Sequence, residues 1–213
     1  MAVQTLIDIN ELPKIVRDYI SYKLTIQGRA KKTMDEYALD LRTFIRWLTR
    51  TRAGLDVADP EVMRTVDISF VSDDVILSVT PDEIYAFLFY TLDERHNSTA
   101  ARARKLSALK SFYRYLTVNK HLVETDPTVN IEGPQQKKSL PKFLSLEESE
   151  ALLDAVRTDE ESKTRARDFC ILTLFLNCGM RLSELCGIDL PDIDRNMESL
   201  RVTGKGSKER LIY

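Results

Sequence analysis

Long apolar runs are missing from this 213-residue chain. No stretch approaches the roughly 18 to 20 consecutive apolar residues that a membrane-spanning helix needs. The opening MAVQTLIDINELPK has no basic segment followed by an apolar one. Neither an anchor nor a secretory signal is indicated, and a cytoplasmic protein is expected. Cysteine is scarce: Cys170, Cys178 and Cys186 stand eight apart. That is not a zinc spacing, and an odd count without a secretory signal argues against a disulfide framework, so three buried thiols are expected. The only histidines, His96 and His121, lie near predicted helix ends with no ligand partners nearby. No metal and no other cofactor is expected.

Net charge is small as well, at -2. By itself this does not suggest nucleic acid, but the charge is segregated along the chain. From Ala53 to Glu94 there are ten acidic residues and one basic, Arg64; from Arg95 to Lys120 there are seven basic residues and no acidic one. A local basic surface can bind phosphates whatever the chain sums to. The alternative is an ordinary solvated helix face. An apolar content of 43% is enough for a core, and the length suits one large or two small domains.

Helical spacing is clear from about Leu12 to Thr25 and from about Thr33 to Thr49, where Tyr37, Leu41, Phe44, Ile45 and Leu48 recur on one face. Between them lies QGRAKKT, a basic turn in which Thr33 and Glu36 have capping-box spacing. The stretch from about Gly54 to Val79 has no clear period and contains β-branched runs, so it reads as a long excursion. Thr80-Pro81 then starts a helix to about Leu92. In HNSTAARARKLSALKSFYRYLTVNK, Asn97 and Ser98 are candidate caps for a long helix free of Gly and Pro. At 100° per residue Leu106, Leu109, Tyr113 and Leu116 form one stripe. Arg104, Ser107, Lys110, Ser111 and Arg114 fall opposite, the side-chain types that meet phosphates and base edges in a major groove.

The segment IEGPQQKKSLPK, residues 131–142, has linker composition. Beyond it, Ser145 and Glu148 have capping-box spacing ahead of a helix to about Val156. A second helix is expected from about Lys163 to Asn177; its nearly continuous apolar run from Phe169 to Leu176 suggests a central position. Gly179 suits a left-handed cap, Leu182 to Cys186 a short helix stopped by Pro191, and Glu198–Thr203 with Lys208–Tyr213 a β-hairpin.

Two motifs now stand in order: GMRLSEL after the apolar helix, and GKGSKER at the hairpin. Alone, Arg181 reads as a helix-start partner of Glu184, and Lys205 as an exposed turn lysine. A phosphate-binding P-loop is excluded, because Gly206 follows Lys205 where Ser or Thr is required. Together with the basic turn at Arg29 to Thr33, the LSALKSFYRYL helix and the linker, the motifs resemble the tyrosine recombinases, the phage-integrase and bacterial Xer-type family. Only about Gly54 to Val79 departs, being longer than the family's usual connection.

The resemblance implies a mainly α chain. Residues 1–130 would be a helical SAM-like DNA-binding domain with an acidic insertion at about 54–79, followed by a linker at 131–142. Residues 143–213 would be the first part of a mixed α/β catalytic domain with a small antiparallel hairpin. In that family two domains clamp double-stranded DNA, protomers assemble as a tetramer, and a tyrosine attacks the scissile phosphate to give a 3′-phosphotyrosyl link. Arg181 matches the first catalytic arginine, whose planar fork meets charge on the nonbridging oxygens. Lys205 matches the general acid for the leaving 5′-oxygen. Helical spacing, and not the resemblance, puts Glu184 one turn on, where it could orient Arg181. The implied DNA contacts are Arg29, Lys31 and Lys32 in the turn, Arg102, Arg104, Ser107, Lys110, Ser111 and Arg114 on the long helix, and Lys137 and Lys138 in the linker.

The family's His-x-x-Arg motif and nucleophilic tyrosine are absent: His96 leads to Thr99, His121 to Glu124, and Tyr213 ends the second strand. The chain therefore reads as C-terminally truncated and unable to recombine DNA. Two other readings stay open, a non-catalytic regulator occupying recombination sites and a helical protein-interaction module.

Overall fold

The computed structural model describes residues 7–135, 140, 142–204, 206 and 208–213. They form two compact units, Met1–Lys138 and Ser139–Tyr213. No helix among the described residues is long and apolar enough to cross a membrane.

The first unit is helical. Helices α1 (Lys14–Thr25) and α2 (Lys31–Arg52) are joined by a turn in which Gly28 takes a positive φ of 59°. The α2 residues Leu41, Phe44, Ile45 and Leu48 are all fully buried, as their spacing predicts. The expected Thr33–Glu36 capping box does not form. Helix α2 starts earlier, at Lys31 after Ala30, with no side-chain cap. Thr33 thus lies inside the first turn, and the Glu36 carboxylate pairs with Arg104 of a later helix.

The acidic excursion folds into two short helices, α3 (Pro60–Thr65) and α4 (Asp73–Leu77). At six and five residues they are too short to impose a helical period on the sequence. Their anchors are apolar: Met63, Ile68, Ile76 and Val79 are buried in the common core. Burying a side chain of this size contributes about 1.5–3 kcal/mol, enough to hold a segment whose own helices would not persist alone. Arg52 adds a polar clasp. Its guanidinium makes a bidentate pair with Glu83 at 2.7 and 2.9 Å and donates to the carbonyls of Val75 and Ser78. Glu83 also completes a capping box with Thr80 at the start of α5 (Pro81–Asp93).

Ser98 caps α6 (Thr99–Arg114), which continues into one π-helical turn, Tyr115–Asn119. The predicted stripe of Leu106, Leu109, Tyr113 and Leu116 is buried. Tyr113 donates from its hydroxyl to the Ile76 carbonyl at 3.0 Å, fastening α4 to α6. Aromatic rings fill the centre, with Phe44 and Phe87 edge to face at 5.0 Å and Trp47 beside both.

The second unit opens with α7 (Leu146–Thr158), whose Ser145–Glu148 capping box forms as spaced. Helix α8 (Arg165–Cys178) packs against α7 and ends at Gly179, which is left-handed with φ 56°. Its apolar run does not become a buried centre: none of its residues is fully buried. A run that is apolar all round needs neighbours on more than one side, and α7 is its main neighbour among the described residues. The expected buried thiols are not found either. Cys170 and Cys186 are exposed and Cys178 is half-buried. The short helix α9 (Leu182–Leu185) ends at Cys186, before Pro191, which instead helps to start a 3-10 turn at Leu190–Asp192. Strands β1 (Leu200–Thr203) and β2 (Glu209–Ile212) pair antiparallel, with Val202 opposite Arg210.

Candidate functional site

The turn after α8 is built to hold one arginine. Gly179 reverses the chain, Met180 is buried, and Arg181 stands in extended conformation as the residue flanking α9. Glu184, three residues on, is only 3% exposed, yet its carboxyl faces two arginines. Its carboxylate accepts from the Arg181 backbone N–H at 3.0 Å and from the Arg181 guanidinium at 2.8 Å. Arg210 of β2 completes the set with two parallel hydrogen bonds, at 2.9 and 3.1 Å. The pair with Arg210, followed by the Arg181 backbone bond, holds the Glu184 carboxyl down at about 2, against burial that pushes it up.

One carboxylate therefore joins the α8–α9 turn to the hairpin and leaves the trio with a net positive charge. The Arg181 side chain remains 70% exposed, with one guanidinium nitrogen held and no described partner at the other two. Gly204, at the hairpin turn, lies so close that a Cβ there would stand 3.0 Å from Glu184 Oε1, and its N–H donates to the Lys208 carbonyl at 2.7 Å. A side chain there would crowd the carboxylate, which would have to give by a few tenths of an ångström. Lys205 itself lies outside the described residues.

A pH dependence follows from Glu184. Its folded pKa is depressed from 4.5 to about 2, so its share of stability is present above 4.5 and is lost as pH falls toward 2. Thermal unfolding through that window is expected to show a steeper loss for the parent than for Glu184→Gln, which lacks the titrating group. Parallel curves for the two would show that the carboxylate does not carry this linkage.

The second grouping is a basic cleft on the first unit. Lys23 in the last turn of α1, Gln27 and Arg29 of the following turn, and Lys110, Ser111 and Arg114 of α6 line an open cavity of about 490 Å³. It holds four cations and no carboxylate. Burial pushes the Lys23 ammonium below its ordinary value, and repulsion from Arg29 and Arg114 adds to the shift. Such uncompensated repulsion is relieved by an anion.

Two sequence signatures match this chain: "Phage integrase, N-terminal SAM-like domain" over residues 67–120 and "Phage integrase family" over residues 142–213. Together they span more than half of it. The tyrosine recombinase XerC of Caldanaerobacter subterraneus subsp. tengcongensis is 40% identical over 201 residues, covering 94% of this chain and 55% of the relative. The tyrosine recombinase XerD of Proteus mirabilis is 35% identical over 214 residues, covering 100% of this chain and 60% of the relative. The chain belongs to the phage integrase family, among its Xer-type tyrosine recombinases. It spans less than two thirds of the length of these relatives.

Solved structures show the same recombinase fold. A lambda integrase (75-356) dimer bound to a COC′ core site matches with a TM-score of 0.59 at 18% identity, over 93% of this chain and 60% of that one. The XerH site-specific recombinase bound to difH substrate gives 0.57 at 18% identity, over 92% and 52%.

Within this recombinase fold the sequence-predicted DNA contacts separate into distinct settings. Arg29, Lys110, Ser111 and Arg114 meet in the cleft, although Ser111 also accepts a hydrogen bond from the buried Tyr19 hydroxyl at 2.8 Å. Lys31 and Lys32 are exposed in the first turn of α2. Ser107 is exposed, and its hydroxyl donates to the Ala103 carbonyl. Arg102 is half-buried and reaches toward the Thr99 hydroxyl. Arg104 is not an unpaired cation: Glu36 and Asp40 of α2 both engage it. Lys137 and Lys138 lie outside the described residues.

Sequence reading missed Lys23 and Arg210. Lys23 carries only the weak signal of a cation in a helix's last turn. Arg210 pairs opposite the buried Val202, a register that the sequence-read strand ends, one residue off, do not give.

Proposed function

We propose that this chain carries the DNA-binding part and the opening catalytic part of a site-specific recombinase. The reaction is strand cleavage and rejoining through a phosphotyrosine intermediate. Residues 1–130 bind double-stranded DNA, residues 131–142 link, and residues 143–213 contribute Arg181 and Lys205 to the scissile phosphate. Other recombinase protomers on the same DNA are the implied partners, and the cytoplasm the implied setting. The observation that carries this reading is Arg181 itself, exposed at a tight turn yet held through backbone and side chain by a buried carboxylate. An arginine kept only for stability would bury its charge in the pair. This one presents unpaired donors, as recognition of a phosphate requires.

The 213 residues by themselves are expected to form no covalent DNA adduct, with or without Mg²⁺. They contain no His-x-x-Arg, and Tyr213 is poorly placed as a nucleophile. It follows β2 at the open end of the hairpin, three residues beyond Arg210 and so roughly 10 Å further along the strand from the Glu184 cluster. Attack must come from the side opposite the leaving oxygen, and a short hairpin does not serve both sides. Incubation with a suicide substrate followed by denaturing electrophoresis tests this. A shifted band that disappears in Tyr213→Phe would overturn it.

A further inference from the structure

Arg104 lies on the same side of α6 as Lys110 and Arg114, but its setting differs from theirs. Its Nη1 meets the Glu36 carboxylate, the Glu36 carbonyl at 3.3 Å and the Asp40 carboxylate at 3.2 Å. Asp40 is nearly fully buried and is fixed from the other side by Lys105 at 2.8 Å, whose ammonium is itself buried. The four charges sum to zero, so the cluster adds nothing to the positive field of the face. All the described protein partners of Arg104 fall on Nη1. Nε and Nη2, the side-on edge of the guanidinium, hold no hydrogen bond among the described residues, and the side chain is 38% exposed. A cation kept only to join α2 to α6 has no need of a free edge, and Lys105 already makes that join.

We propose that Glu36 and Asp40 are positioning residues that hold Arg104 with its Nε/Nη2 edge turned outward to engage DNA. This rests on the DNA-binding reading given above. The edge is the bidentate fork that matches two phosphate oxygens or the O6/N7 pair of guanine. An unrestrained arginine loses rotamer freedom when it binds; one held beforehand by Glu36 beside the Asp40 charge has already lost part of it. Glu36 holds the guanidinium by hydrogen bonds, and Asp40, whose Oδ2 makes no hydrogen bond to it, contributes its buried charge at 3.2 Å.

The experiment turns on a sign. Near DNA, removing a negative charge should tighten binding if only the field matters. Positioning predicts the reverse. In titrations of the 213-residue protein with a labelled mixed-sequence duplex, Glu36→Gln is expected to weaken binding about 2- to 10-fold, the range set by freeing one long side chain. In an Arg104→Ala background the same substitution is expected to cause no loss. Glu36 is half exposed and Gln is isosteric, so folding is retained and a melting curve verifies it. Asp40→Asn gives a second reading where it folds. Tighter or unchanged binding by Glu36→Gln would overturn the proposal, as would an equal loss with and without Arg104. Lys110→Ala with Arg114→Ala serves as the reference. If that pair leaves duplex binding unchanged, the DNA-binding reading fails; if it weakens binding while Glu36→Gln tightens it, only the positioning of Arg104 fails.

Discussion

Arg181→Ala is expected to lower DNA strand cleavage by at least about a hundredfold while leaving DNA affinity nearly unchanged, in a polypeptide that joins these residues to a nucleophilic tyrosine. The expectation comes from where charge appears. In-line attack on a phosphodiester builds negative charge on the nonbridging oxygens, and a guanidinium can meet two of them while staying charged at any working pH. Arg181 is held for such a role by Glu184, which fixes its backbone N–H and one guanidinium nitrogen and is itself neutralised by Arg210. These contacts are in place without substrate, which limits the reorganisation the reaction needs. Binding spread over many phosphates elsewhere should not notice the loss of one contact. Single-turnover cleavage and equilibrium titration on the same duplex separate the two. A variant that cleaves normally, or one that loses both activities in proportion, would remove the transition-state role.

The motif legible in the sequence was GMRLSEL, and the structure explains why its spacing matters. A left-handed glycine ends α8, and the three-residue step from Arg181 to Glu184 brings the carboxylate back under both the arginine's backbone and its side chain. Helix starts at Thr80, Ser98 and Ser145 were equally legible, because capping is local chemistry. What escaped the sequence was set by distant partners. Glu36 fits a capping box by spacing, but Arg104, sixty-eight residues away, draws its side chain instead. The excursion between Gly54 and Val79 holds two helices too short to show a period, fixed by buried Met63, Ile68 and Ile76 and by the Arg52 clasp. The apolar run of α8 looked like a centre because periodicity reports hydrophobicity and not how many neighbours are present to cover it.

Replacing Arg29, Lys110 and Arg114 together with Ala is expected to weaken DNA binding on the order of tenfold to a hundredfold and to flatten the salt dependence by roughly two to three units of slope. These three share the cleft with Lys23 and have no carboxylate among its lining residues. Each phosphate they neutralise releases condensed counterions, and the slope of log affinity against log salt counts those contacts. Arg104→Ala, which removes one cation and not three, should change the slope by no more than about one unit. Titrations at several salt concentrations give both numbers. An unchanged slope in the triple variant would return these residues to the status of ordinary solvated charges and favour a helical protein-interaction module.

A substrate with sulfur in place of the 5′-bridging oxygen separates the two proposed catalytic residues in one assay. A thiolate leaves with little need of a proton, whereas charge on the nonbridging oxygens still has to be met. Lys205→Ala is therefore expected to cleave the sulfur substrate at close to the parent rate, and Arg181→Ala to remain slow on it. Recovery of both variants, or of neither, would contradict the assignment of Lys205 to the leaving group and Arg181 to the phosphate.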